Sequence, residues 1–211
     1  SEDYKSFLLL MIAYMVLLRL LLLATYPLMD TTEARYAEIA RKMVELNDWV
    51  TPWFDYGVPF WGKPPLSFWM TALSFKMFGI NEFAARLPHY LCGVTVAWII
   101  WKWMRKRSVQ QAVYALAILS GAFLFFASSG LVMTDMWLVL GTTLSMYGFW
   151  RTVANEQQHA IEPWLFFIGL AVGLLAKGPI AVVLTVTPVI AWMLITKHSL
   201  EAWIRLPWIR G

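Results

Sequence analysis

Residues 7–36 read FLLLMIAYMVLLRLLLLATYPLMDTTEARY, a seventeen-residue apolar run broken only by Arg19 that gives way within a few residues to an acidic, polar segment. A second run, residues 109–131, contains no acidic or basic side chain at all. Apolar blocks approaching or exceeding about 18 residues have the length of a bilayer's hydrocarbon core when helical. The whole chain is 60% hydrophobic and 14% charged, with a mean hydropathy of +0.60, well outside the range of ordinary soluble domains. The pattern predicts an all-α, polytopic transmembrane bundle with about six spans, at residues 7–27, 84–103, 110–129, 134–150, 164–178 and 179–197. The last two are joined by Gly178-Pro179, as a helical hairpin or as one broken helix.

Between the first two spans lies a polar insert, an outer loop of about residues 28–83, in which Trp49, Trp53, Trp61 and Trp69 recur. Indole rings favour the head-group layer, so the insert is expected to rest in the interface. It should hold two juxtamembrane helices. One runs from Thr31 to about Asn47, capped by Asp30 or Thr31, with Glu33 placed as in a capping box. Ala37, Ala40, Met43 and Val44 form its apolar face, and Glu38, Arg41, Lys42 and Glu45 its polar face. The other runs from Pro64 to Phe78 with Gly79 as its stop, after which Asn81 caps the second span.

The net charge of +4 does not indicate nucleic acid, because the cations are dispersed among short loops. Lys102, Arg105, Lys106 and Arg107 form one such loop without acids, which marks it as cytoplasmic. Alternation then puts the N-terminus, Arg151 and the tail with Lys197, Arg205 and Arg210 on the same side. The long insert, the 128–135 turn and the Lys177-Gly178-Pro179 turn fall on the opposite face. The single Cys92 excludes an intrachain disulfide.

Each candidate site residue has a bland and a functional reading. Asp30 and Glu33 suit a helix N-terminus, and Asp30 equally suits a general base or an acceptor-orienting group. Asp135 caps the fourth span or faces a polar cavity, since an ionised group inside lipid is costly. Lys63, held extended by Pro64, and Lys177 snorkel or bind phosphate. Arg86 has Asp30 and Glu33 as candidate partners. Arg19, read as below the middle of the first span, snorkels or pairs structurally. His89 with Glu82 or Glu33 lacks any metal-binding pattern and reads as packing.

Five ordered motifs carry a resemblance: Asp30-Thr-Thr-Glu33-Ala-Arg35-Tyr36, Gly62-Lys63-Pro64-Pro65-Leu66, Phe78-Gly79-Ile-Asn81-Glu82-Phe-Ala-Ala-Arg86-Leu-Pro88, Thr134-Asp135-Met136 and Ala176-Lys177-Gly178-Pro179. Together they resemble the ArnT-like and protein O-mannosyltransferase-type membrane glycosyltransferases of the GT-C fold. The resemblance implies a polyprenyl-phosphate-linked sugar as donor, and a lipid such as lipid A or a protein hydroxyl as acceptor. It also implies a multi-pass protein of the bacterial inner membrane with its active site facing the periplasm. By position it makes Asp30 and Asp135 catalytic and puts Lys63 and Lys177 at the donor phosphate; Glu33 and Arg86 join them as substrate-binding candidates from the residue reading. Gly62 stands where many relatives have an acidic residue linked to a metal. No metal and no cofactor are therefore assigned, a divalent cation staying open. Such proteins are longer, so the chain is expected to be an N-terminal portion lacking later spans and an extracytoplasmic domain. The rival readings are a non-catalytic lipid-binding or transporter-like subunit and a truncated, inactive homologue.

Overall fold

The computed structural model describes residues 2–153, 162–196 and 206. The tail cations Lys197, Arg205 and Arg210, expected on the cytoplasmic side, lie outside them. The order is α1 (Glu2–Leu22), α2 (Thr31–Leu46), β1 (Trp53–Asp55), β2 (Val58–Pro59), α3 (Leu66–Phe78), α4 (Glu82–Arg105), α5 (Val109–Gly121), α6 (Phe123–Ser128), α7 (Asp135–Val153), α8 (Glu162–Lys177) and α9 (Ile180–Thr196). Two compact units divide the chain at Met136 and Trp137.

Helices fill all six segments expected to span. Two of them, Tyr4–Leu22 and Glu82–Arg105, are long and apolar enough by length and composition to cross a membrane. The exposed surface of α1 is leucine-rich, with Leu10, Leu17 and Leu21 open to the surroundings. Water does not tolerate an apolar face of that size, and a bilayer does. The third expected span departs from the prediction. It breaks at Ala122, whose ψ of 106° is extended, and splits into α5 and α6. Ser120-Gly121 immediately before the break are weak helix formers.

In the first unit, α2 packs on α3 through Tyr36, Ala37, Ile39, Ala40, Met43, Phe68, Ala72 and Phe75, closed by Ala84 and Ala85 of α4. The buried alanines let the backbones approach. Asn47 ends α2 in the left-handed region (φ 51°). Gly79 ends α3 with φ 79°, and Asn81 caps α4 by accepting the Ala84 amide. α3 begins at Leu66 rather than Pro64, the two prolines forming its approach.

A small antiparallel hairpin, β1–β2, covers the far end of α2. Lys42 holds it. Expected on the polar face, Lys42 is buried and donates to the Phe54 carbonyl (2.9 Å) and the Asp55 carboxylate (3.1 Å). Two of the four tryptophans also act as pegs: Trp69 Nε1 donates to the Trp49 carbonyl, and Trp53 Nε1 to Asp48. Trp61 is 75% exposed.

In the second unit, Gly141 and Gly148 of α7 face Gly169, Gly173 and the Phe166 backbone of α8 so closely that a Cβ at Gly141, Gly148 or Gly169 would collide across the pair, while one at Gly173 would meet Ala181 of α9. Small residues at helical spacing are how membrane helices reach backbone contact. Ser145 adds a hydrogen bond to the Phe166 carbonyl (2.8 Å). Of the two arrangements left open for α8 and α9, the hairpin is the one found, turning at Gly178 with φ 75°.

Candidate active site

The first turn of α2 organises the polar chemistry. Asp30 caps it, its Oδ1 accepting the amides of Thr32 (2.7 Å) and Glu33 (3.2 Å). The residue is exposed. The two backbone donors hold the Asp30 carboxyl below its ordinary value of 3.8. A depressed folded-state value stabilises the cap above the ordinary carboxylate range, and that contribution is lost as pH falls through the depressed value. Protection factors of the Thr32 and Glu33 amides should therefore stay constant from neutral pH to about pH 4 and drop only at lower pH. A drop between pH 5 and 7 would contradict this capping.

Glu33 does not complete a capping box. It turns inward, is 1% exposed, and meets a fully buried Arg86. Arg86 Nε and Nη2 donate to the two carboxylate oxygens at 2.9 and 3.0 Å. The remaining donors go to the carbonyls of Leu23, Tyr26 and Pro27, and the guanidinium lies 3.9 Å from the Tyr26 ring centroid. All five N–H groups of Arg86 are thus used, leaving none for a ligand in this arrangement. Glu33 Oε1 also accepts the Val132 amide at 3.2 Å. One buried ion pair therefore ties together the end of α1, the start of α2, the start of α4 and the loop that leads into Asp135.

Asp135 is half-buried at the first position of α7. Its charge reaches Tyr36, two turns along α2 from the cap. Burial pushes the Tyr36 hydroxyl above its ordinary value; Arg35 opposes the rise and Asp135 adds to it. Tyr36 packs edge-on against Phe68 (5.3 Å between centroids) and lies 6.2 Å from Phe60. Phe60 in turn carries the loop to Lys63, and its ring lies under Gly62. Lys63 is half-buried and has no hydrogen-bond or ion-pair partner among the described residues.

The first unit accordingly gathers the segments bearing Asp30, Lys63 and Asp135 around the N-terminal half of α2. Lys177 ends α8 in the second unit, half-buried before the Gly178 turn. His89 bonds Thr71 across α3 and α4 (3.2 Å). Among the described residues no three His, Cys, Asp or Glu side chains gather as a metal site. The buried role of Glu33 and the Lys42 latch escape periodicity, because both depend on segments remote in sequence. The one local signal for the former is the spacing of Glu33 between a cap and Tyr36.

Chains of known fold share this architecture. The structure of ArnT from Cupriavidus metallidurans in the apo state superposes with a TM-score of 0.84 at 21% identity, covering 97% of this chain and 38% of that one. The same protein bound to undecaprenyl phosphate gives 0.77 at 22%, covering 96% and 38%. An undecaprenyl phosphate-alpha-4-amino-4-deoxy-L-arabinose arabinosyl transferase of Pseudomonas savastanoi pv. phaseolicola is 30% identical over 202 residues, covering 91% of this chain and 36% of that protein. An uncharacterized protein of Aquifex aeolicus is 28% identical over 165 residues, covering 77% and 32%. The chain thus spans about a third of the length of the curated relatives it matches. The family model described as dolichyl-phosphate-mannose-protein mannosyltransferase matches residues 5–208, nearly the whole chain. With its helical membrane fold and a match of that extent, the chain belongs to the dolichyl-phosphate-mannose-protein mannosyltransferase family.

Proposed function

We propose that this chain carries the reacting groups of a membrane glycosyltransferase that moves a sugar from a polyprenyl-phosphate-linked donor to a lipid or protein acceptor. The supporting observation is the arrangement around α2: an exposed carboxylate that caps the helix, on a backbone locked by the buried Glu33–Arg86 pair. The names of the arabinosyl transferase relatives, and the ArnT structure holding undecaprenyl phosphate, support a carrier-lipid phosphate as the leaving group.

In this mechanism the acceptor oxygen attacks the anomeric carbon while the carbon–oxygen bond to the phosphate breaks. The polyprenyl phosphate departs with the electron pair. Lys63 neutralises the phosphate as its charge grows. Asp30 aligns the acceptor and takes its proton when the acceptor is a hydroxyl. When the acceptor is already an ionised phosphate no proton moves, and the same carboxylate stabilises positive charge on the sugar. Asp135 positions the sugar. Glu33 and Arg86 hold these groups in place rather than touching substrate. The reaction is assigned to the periplasmic face of a bacterial inner membrane, the side of the long insert when the Lys102–Arg107 loop is cytoplasmic.

Lys63→Met tests the phosphate contact. Losing one charge-assisted bond should weaken undecaprenyl phosphate binding by about ten- to a hundredfold, read by titrating the labelled lipid in detergent. Unchanged affinity would remove Lys63 from the donor site.

A further inference from the structure

A second feature lies apart from these residues. Arg19, expected below the middle of its span, instead occupies the last turn of α1. It is 7% exposed. Its Nη1 donates to the Tyr26 hydroxyl (3.2 Å) and its Nη2 to the Ala127 carbonyl (2.6 Å), with the Phe126 ring 5.2 Å away. Nε has no hydrogen-bond partner, and no carboxylate pairs with the guanidinium among the described residues. Gly130 leaves room for the head group; a Cβ there would collide with it. The fold thus buries a cation and supplies dipoles but no counter-anion. Burying an unpaired charge is costly, and such groups are found with an anion beside them.

Directly beneath Arg19 runs a groove. It is lined by Ile12, Met15 and Val16 of α1, Val94 and Ala97 of α4, and Leu116 of α5, with Arg19 as the only charged residue in its wall. From Ile12 to Arg19 is seven residues, about 10 Å along a helix. An apolar trough with a cation at its mouth fits an anion that carries a hydrocarbon chain.

We propose that this groove binds one acyl chain of an anionic phospholipid, with the lipid's phosphodiester against Arg19. The charge balance selects this occupant. A phosphodiester carries one negative charge and meets one guanidinium. A monoester phosphate such as a polyprenyl phosphate carries about 1.5 to 2 charges at neutral pH and finds no second cation in the groove. The second acyl chain stays in the bilayer beside the exposed face of α1. Tyr26, which contacts both Arg19 and Arg86, links the lipid to the buried ion pair.

The test is native mass spectrometry of the purified chain in nonionic detergent, titrated with phosphatidylglycerol, phosphatidylcholine or undecaprenyl phosphate. The wild type should retain phosphatidylglycerol in preference to phosphatidylcholine. Arg19→Gln should lose that preference, with affinity falling roughly ten- to a hundredfold. Val94→Trp, which fills the groove and leaves the cation in place, should lose it as well, and it keeps the test decisive where Arg19→Gln fails to fold. Equal retention of phosphatidylglycerol and phosphatidylcholine by the wild type would overturn the proposal. Undiminished retention by a folded variant, or an undecaprenyl phosphate affinity that falls in Arg19→Gln as far as the phosphatidylglycerol affinity does, would do the same.

Discussion

Arg86→Met should unfold the first unit's polar centre at a cost of about 3–5 kcal/mol, the usual penalty for stranding one member of a buried ion pair. The reasons are specific. Glu33, 1% exposed, would keep its charge in the interior with only the Val132 amide as a remaining donor from outside its own helix. The carbonyls of Leu23, Tyr26 and Pro27 would lose their common donor as well. Arg86→Lys should recover little, because an ammonium offers three donors where five are used and cannot reach both carboxylate oxygens and three carbonyls. Replacing Glu33 and Arg86 together by methionine should cost less than Arg86→Met alone, since no charge stays behind, yet more than nothing because the carbonyls remain bare. Thermal unfolding of the four proteins in one detergent checks the order. A wild-type-like melting temperature for Arg86→Met would show that the pair does not hold the unit together.

Asp30→Asn separates scaffolding from chemistry. Asparagine caps a helix as well as aspartate does, so α2 should form unchanged. The side chain can no longer accept a proton or carry negative charge. Under the proposed mechanism transfer should fall by about 10²–10⁴, the range for losing a positioned acid–base group. Asp30→Ala would remove both functions and should additionally fray the first turn by about 1 kcal/mol. Sugar release from a labelled polyprenyl-phosphate donor, measured beside far-ultraviolet circular dichroism, distinguishes the two. Full turnover by Asp30→Asn would leave this carboxylate as a cap only.

Much of this architecture is legible in the chain. The caps of α2 and α4 are local chemistry: Asp30 and Asn81 each bond amides two or three residues ahead, so sequence spacing alone locates them. The apolar face of α2 follows from its period, and Ala37, Ala40 and Met43 are buried as read. Lys42 was not legible, because its burial is made by a hairpin a dozen residues downstream. The bounds of α1 also differ from the reading. The helix runs from Glu2 to Leu22 rather than over 7–27, so Arg19 falls in its last turn. Arg86 had Asp30 and Glu33 as candidate partners. The choice fell to Glu33 because Asp30's amide bonds hold it at the exposed helix end, while Glu33 projects one turn deeper.

The central claim is a division of labour between Lys63, which grips the carrier phosphate, and Asp30, which acts on the acceptor. The most direct measurement is undecaprenyl phosphate affinity alongside the single-turnover transfer rate for Lys63→Met and Asp30→Asn. Lys63→Met should lose lipid affinity, and Asp30→Asn should keep that affinity while losing transfer. If Asp30→Asn instead weakens lipid binding and leaves the transfer step intact, the assignment of the two residues is contradicted.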